Sequence, residues 1–545
     1  MTIFSFSPFG YEGALVTVEV DLRRGIPAID IVGLADNAVK ESRERMRSAI
    51  RNSGFEFPME RVLISLSPAD LKKDSSGLDL PIAVGLLTAY GSLPQEKVEK
   101  SLFTAELSLE GKCRGVKGVL PMAIKAREAG FESIFVAEEN AEEALLVEGL
   151  VVYALKDLGQ LVRFLTGVEP LEAASPKQKE KGEQGFTDDF ADVQGQYQAK
   201  RALEIAAAGG HNVLMVGVPG AGKTMLARRM SSILPEMTRE EALEVTKIYS
   251  IAGRLSGQGL IRGRPFRSPH HTTSMVAMIG GGSIPRPGEV TLAHHGVLFL
   301  DELPEFSKKS LEVLREPVED RRITISRVNA SLTFPSSCIL IAAMNPCPCG
   351  YLGDPERDCE CSVSEIRRYT RKISGPLLDR IDIHIRVPRV KYEELSSKKR
   401  AESSAQIRQR VVKAREIQLK RLKKYHLFCN GQMNHALLQK LCVLEPPAQF
   451  LLEQAFKKLN LSARSYDRII KVARTIADLS GTKNIEASHI AEAIAYYNEK
   501  FYANLKSVND IIDSDDPILY GKYHNRISFM KPEAERLCLN MHNSQ

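Results

Sequence analysis

Polar and apolar residues alternate with a period of two along Ala14-Leu15-Val16-Thr17-Val18-Glu19-Val20, which predicts a strand with one covered face. The pattern becomes helical over 36–52, with a densely charged polar face, and returns to strand over 61–66. Residues 80–90 are apolar throughout and suit a buried helix; 121–130 predicts a helix ending at a glycine, and 133–137 the next strand. Further on, 212–216, 297–300 and 339–344 are short apolar runs of strand type, and 225–230 continues the first of them as a helix. Residues 321–332 read as two strands around a turn with Arg327 near the tip. From about 400 the pattern is helical: a long basic helix over 402–425, then 434–442, 446–459, 463–479 and 486–500.

These patterns divide the chain into an α/β or α+β domain over 1–167, an α/β domain over 187–392 and a helical domain over 393–500. Residues 168–186 are polar and poor in apolar anchors, and read as a flexible linker. The tail over 501–545 has little periodicity and no assigned role, and there is no internal repeat. The 545 residues carry 74 basic and 68 acidic side chains, a net charge of +6 that implies no partner by itself. The start lacks a basic and apolar leader, and no apolar stretch approaches a membrane span, so the expected address is the cytoplasm with no membrane partner. In that compartment the nine cysteines read as free thiols or metal ligands rather than disulfides.

The most specific chemistry is Gly217-Val218-Pro219-Gly220-Ala221-Gly222-Lys223-Thr224, a full phosphate-loop pattern between a predicted strand and a predicted helix. Glycines let the loop turn its N–H groups around a polyphosphate, and the following helix points its positive end at the same charge. Lys223 is placed to reach the β and γ phosphates of ATP, and Thr224 to ligate Mg2+. About eighty residues on, the strand at 297–300 ends in Asp301, which can hold Mg2+ through water, and Glu302, which can polarise the attacking water. The strand at 339–344 ends at Asn345, an amide placed to sense the γ phosphate. Arg380 stands where a neighbouring subunit can insert it as a charge-neutralising finger, and Arg464 opens a helix that can lie over the same nucleotide.

At this point the chain resembles the AAA+ ATPases of the magnesium-chelatase and MCM branch, and more closely the ComM/YifB family. The resemblance rests on 30–52, Ser268-Pro269-His270-His271-Thr272, the phosphate loop and the acidic strand end, Met344-Asn345-Pro346-Cys347-Pro348-Cys349-Gly350, 374–382 and Ser462-Ala463-Arg464-Ser465-Tyr466-Asp467-Arg468. It implies a multidomain α/β protein with a Lon-protease-like, ribosomal S5 domain 2-like amino-terminal domain, an AAA+ P-loop core and a helical carboxy-terminal lid. It further implies ATP hydrolysis between subunits of a hexameric ring, with Asn345 as sensor 1, Arg380 as the finger and Arg464 as sensor 2, for which Arg468 is a rival. Laid on the Lon pattern, the catalytic lysine falls on Leu120 and the serine on Gly77, so neither half of a serine–lysine dyad is present; a shift of the loop by a residue or two would bring Ser75 or Ser76 to the hydroxyl position, but no lysine takes the place of Leu120.

Two segments are expected to line a ring's channel: 283–290, carrying Arg286, and the 321–332 hairpin with Arg327. Basic tips there would track single-stranded or branched DNA without reading its sequence. Cys347, Cys349, Cys359 and Cys361 form two C-x-C pairs nine residues apart, a set that suits tetrahedral Zn2+ and otherwise consists of unliganded thiols. The adjacent pairs His270/His271 and His294/His295 read as polar loop residues, not metal ligands. The leading functional reading is an ATP-driven DNA translocase or helicase promoting branch migration, as the family resemblance implies. The alternative is a magnesium-chelatase-type motor that remodels a protein. An active protease is disfavoured by Leu120 and Gly77, and an inert scaffold by the retained Asp301 and Glu302.

Overall fold

The computed structural model describes residues 1–8, 10–33, 37–69, 76–176, 188–255, 259–282, 285–327, 330–390, 401–459 and 461–497. The chain packs as two compact units interleaved along the sequence. One holds Met1–Val193, Thr224–Ala342 and Lys399–Val412; the other holds Gln194–Lys223, Ala343–Lys398 and Lys413–Gln545.

In the first unit the amino-terminal strands are β1 Thr2–Ser7, β2 Ala14–Arg23, β3 Ala28–Val32, β4 Arg61–Ser67, β5 Ser101–Thr104, β6 Glu106–Leu107, β7 Cys113–Arg114, β8 Ser133–Ala137 and β9 Val151–Leu155. Seven of them form a sheet in the order β3-β4-β2-β1-β5-β8-β9. The β1–β2 and β2–β4 pairs are antiparallel, and the β3–β4, β5–β8 and β8–β9 pairs parallel. Strand alternation gives this sheet two cores. Phe103 and Phe135 point into one, where their rings stack at 4.9 Å beneath the helix Asp79–Ala89. Leu102, Ile134 and Val136 point into the other, against the helix Val119–Glu128. Leu120 lies in that second core, fully buried, and Gly77 is buried in the turn Ser76–Leu78. Residues 70–75, the rest of the Lon-like loop, lie outside the described residues.

The reading of 168–186 as a flexible linker does not hold over its first half. Leu171 packs on one amino-terminal core and Ala174 on the other, and the Ala174 N–H donates to the Val152 carbonyl at 2.8 Å. Two apolar side chains and one backbone bond suffice to seat a segment whose composition is otherwise that of a tether. Residues 177–187 lie outside the described residues, as do 498–545.

The helix Val119–Glu128 also carries the junction with the nucleotide-binding region. Glu143, buried among these elements, accepts from the Leu120 N–H at 2.7 Å and from the Ser250 hydroxyl of the helix Arg239–Ile251. The Gly118 N–H donates to the Ser250 carbonyl at 3.2 Å, and Lys247 lies 4.0 Å over the Tyr11 ring. Leu120 is thus a buried leucine whose N–H is held by Glu143, the residue that also meets Ser250.

The remaining strands are β10 Val213–Gly217, β11 Phe266–Arg267, β12 Gly280–Gly281, β13 Arg286–Pro287, β14 Val297–Leu300, β15 Arg322–Arg327, β16 Ala330–Pro335, β17 Ile339–Met344 and β18 Ile383–Val387. In the first unit β11 pairs β14 and β14 pairs β17 in parallel ladders, and in the second β10 pairs β18 in parallel. Every residue of β10, β14 and β17 is buried, as strands covered on both faces require. β12–β13 and β15–β16 are separate antiparallel hairpins.

The carboxy-terminal helices are Ser404–Leu422, His435–Leu441, Pro446–Lys458, Ala463–Ser480 and Ala487–Tyr496, close to the expected spans. In the second unit a buried polar network ties the last of the long helices to the start of β10. Asp478 accepts from Arg421 at 2.5 Å, from Asn430 at 2.8 Å and from Arg474 at 3.1 Å. Thr475 meets Asn430 at 3.0 Å and His211 at 2.8 Å.

Candidate active site

β10 ends at Gly217, where a Cβ would stand 2.3 Å from the Val387 carbonyl oxygen of β18. Beyond it the backbone enters left-handed conformations at Gly220 (φ 76°) and Gly222 (φ 89°), which a side chain would disfavour. This geometry lets a loop gather successive N–H groups on one side, and the helix Lys223–Ile233 starts immediately afterwards. Lys223 is buried at the root of the loop. Its ammonium donates to the Gly217 and Val218 carbonyls at 2.7 and 3.0 Å and to Asn345 Oδ1 at 3.0 Å. The loop lysine and the amide at the end of β17 are thus brought together.

The next residue, Thr224, donates its hydroxyl to Asp301 Oδ2 at 2.7 Å. Two hard oxygens from the helix start and the end of β14 therefore meet at one point, a donor set that fits Mg2+. The other Asp301 oxygen accepts the Glu302 N–H at 2.9 Å. Glu302 is held in a left-handed backbone conformation (φ 51°), and its side chain is 59% exposed, open to a substrate water. Its carboxylate lies 3.3 Å from His271 Nδ1. This contact has no local sequence signal: His271 falls in a polar run, and nothing in its spacing points to a residue thirty-one positions on.

Three family models match consecutive parts of the chain: subunit ChlI of Mg-chelatase over 18–140, magnesium chelatase subunit ChlI over 189–395, and the ChlI carboxy-terminal model over 401–497. The competence protein ComM of Haemophilus influenzae is 45% identical over 499 residues, covering 91% of this chain and 96% of that protein. The chain belongs to the ComM/YifB family. YifB of Escherichia coli is 44% identical over 489 residues, 89% of this chain and 95% of its own. Lon protease 2 of Bacillus subtilis is 30% identical over 179 residues, 31% of this chain and 30% of that protein. Membership of this magnesium-chelatase-like AAA+ family implies an ATPase that uses ATP and Mg2+. Among the described residues no helix is long and apolar enough to cross a membrane.

The ComM/YifB arginines occupy different environments. The Arg380 guanidinium donates to the Pro376 carbonyl at 2.7 Å at the surface, while its own carbonyl accepts from the Asn212 amide at 3.1 Å. Arg464 is exposed on the first turn of Ala463–Ser480. Arg468, one turn on, is buried; it donates to the Ile381 carbonyl at 2.7 Å and lies over the Tyr497 ring. Both arginines suit a sensor by sequence, but Arg468 is committed to tying its helix to the loop after Arg380.

Of the channel candidates, Arg286 is exposed on β13 and Arg327 ends β15, paired with Ala330. Residues 283–284 and 328–329, at the two turns, lie outside the described residues. The hairpins adjoin: a Cβ at Gly280 of β12 would stand 3.2 Å from Ile325 Cδ1 of β15. One face of β15–β16 buries Ile323, Ile325, Leu332 and Phe334, and the other exposes Arg322, Thr324 and Ser326.

The expectation for His294 and His295 is corrected in part. His294 is buried, not a solvated loop residue, and both Nε2 atoms meet Glu244 Oε2, at 3.0 and 2.8 Å. Glu244 on the helix Arg239–Ile251 gave no signal in a local reading, because its partners lie fifty residues away. The trio has the separations of a metal site, yet His294 Nδ1 accepts the Ser337 N–H at 3.0 Å. Its proton therefore sits on Nε2, which donates to Glu244 and is not offered to a metal. The hydrogen bonds from His294 and His295 hold the Glu244 carboxyl well below the usual range. Burial lowers His294 from 6.5 to about 4. A histidine neutral in the fold and protonated when unfolded contributes stability above pH 6.5 that is lost as the pH falls towards 4. The urea midpoint of the wild type is expected to drop across this window. In His294→Asn, which offers an amide in place of the ring, the drop should be shallower; parallel profiles would refute the assignment.

Proposed function

We propose that this chain is a DNA translocase that works as a ring of six subunits and drives branch migration, with ATP hydrolysed at each subunit interface. The phosphate loop Gly217–Thr224 cradles the nucleotide, and Lys223 exchanges its loop carbonyls for the β and γ phosphates. Thr224 and Asp301 would hold Mg2+, which when bound neutralises charge on those phosphates. Glu302 orients and polarises the attacking water, held by the Asp301 contact behind its backbone and by His271 beside its carboxylate. Asn345 reports the γ phosphate to Lys223, its partner at 3.0 Å. Arg380 completes the site of the neighbouring subunit, and the exposed Arg464 serves as sensor 2 in preference to Arg468.

The observation that carries the DNA reading is the pair of adjoining hairpins, with Arg286 on one, Arg327 at the end of the other, and hydroxyl side chains along the exposed face between Thr324 and Ser326. Arginines and hydroxyls bind phosphate and sugar, not base edges, which suits movement along any sequence. The similarity to a competence protein over nearly the whole chain points the same way. The Lon-like domain is read as an assembly or DNA-contact module without peptidase chemistry, since Leu120 and Gly77 supply neither amine nor hydroxyl.

The test is ATP-dependent processing of forked and four-way DNA. Turnover is expected to rise with single-stranded or branched DNA, and stimulation to weaken steeply with salt. Arg327→Ala should cut DNA-stimulated turnover about tenfold and leave the basal rate within about twofold. ATP hydrolysis indifferent to DNA, with junctions left intact, would sink the translocase reading in favour of a motor that remodels a protein partner.

A further inference from the structure

We infer that Cys347, Cys349, Cys359 and Cys361 bind one Zn2+ and that the resulting knot braces the phosphate loop against the Asn345 strand end. The four sulfurs lie within 4.8 Å of one another. Cys347 is 3.4 Å from Cys349 and 3.6 Å from Cys359, and Cys349 is 3.6 Å from Cys359. Four ligands placed about 2.3 Å from a tetrahedral Zn2+ are separated by about 3.8 Å, so the cluster is already near metal-binding spacing. It is far from the roughly 2 Å of an S–S bond, and all four cysteines are free. A backbone N–H also points at a sulfur, as a thiolate site favours: Cys349 N–H reaches Cys361 Sγ at 3.3 Å.

Two contacts connect the knot to the nucleotide machinery. Cys347 follows Asn345 by two residues, so the first zinc ligand fixes where the end of β17 leaves the sheet. Between Cys349 and Tyr351, Gly350 turns with φ 91° and donates to the Cys347 carbonyl at 3.0 Å. A Cβ on Gly350 would stand 2.6 Å from the Pro219 ring, so the turn of the knot lies directly on the phosphate loop. The far side of the insertion is anchored independently, by Arg389 to Asp354 at 3.2 Å and to Glu356 at 2.7 Å. Without metal, four thiols in one small space have no common partner. With it, the segment from Asn345 to Pro219 becomes one rigid piece.

The metal claim is independent of the ATPase reading; the bracing claim rests on it for its kinetic readout only. Metal analysis of the full-length protein, purified without chelator, should give about one zinc per chain. Cobalt substitution should give the visible bands of a tetrahedral thiolate site. Less than about 0.2 equivalents, with all four thiols reacting freely in the native protein, would overturn the site. Removal of zinc from the wild type should speed hydrogen exchange over 217–224 and 344–350 and lower ATP turnover about tenfold, both restored by Zn2+. Cys359→Ser/Cys361→Ser should reproduce the metal-free state. If that variant fails to fold, the chelation and restoration series decides. Zinc that can be removed with no change in exchange over those segments overturns the bracing, whatever the turnover rate.

Discussion

Glu302→Gln is expected to lower ATP turnover by about a hundredfold to a thousandfold while nucleotide affinity stays within about threefold of wild type. The substitution keeps size and hydrogen-bonding reach and removes only the carboxylate proposed to polarise water. The Glu302 backbone is set by its left-handed conformation and by its N–H bond to Asp301 Oδ1, neither of which depends on the carboxylate. The glutamine amide can still meet His271, and the Lys223–Asn345 and Thr224–Asp301 contacts of the proposed phosphate and metal sites do not involve the carboxylate. Phosphate release and the fluorescence of a labelled nucleotide separate the two effects. Turnover within about twofold of wild type would show that another group activates the water.

On the proposed ring, Arg380→Ala should stop turnover as completely, by removing a charge from the neighbouring subunit's site. Its loop is held by bonds that leave the guanidinium near the surface: the Arg380 carbonyl accepts from Asn212, and Asp382 accepts the Asn212 N–H at 3.1 Å. A finger carried this way should reach across an interface. The two inactive variants then make a decisive pair. In rings mixed one to one, about a quarter of interfaces join a subunit with intact Glu302 to a neighbour with intact Arg380. The mixture should recover about a quarter of wild-type turnover if sites act independently. If Arg380 acts within its own chain, the mixture stays as inactive as its components.

Much of this site was legible because its requirements are local. A phosphate loop needs glycines at left-handed positions beside a lysine and a hydroxyl, and Gly220 and Gly222 occupy those positions. Apolar strands ending in Asp301 and Asn345, and the helical periods after 400, likewise announce themselves within one window. What escaped depends on packing between distant segments. His271 meets Glu302, and His294 and His295 meet Glu244, only because loops and a helix are folded against each other. Arg464 and Arg468 stand on successive turns of one helix, and only the carbonyls around Arg468 separate them. The segment 168–176 looked like a tether because composition averages over the two residues that hold it down.

The interleaving of the two units bears on how the chain is made. The phosphate loop is synthesised before residue 225, but β10 acquires its β18 neighbour only when residues 383–387 are available. His211, at the root of that strand, finds Thr475 nearly a hundred residues later still. Asp478 and its three partners close as a group, because leaving any one charge buried alone is unfavourable. The β10–β18 ladder and its buried polar root therefore have all their residues only once the helix Ala463–Ser480 has been made. A chain cut short before that helix has the whole Gly217–Thr224 loop in its sequence but lacks the buried partners that hold the root of β10.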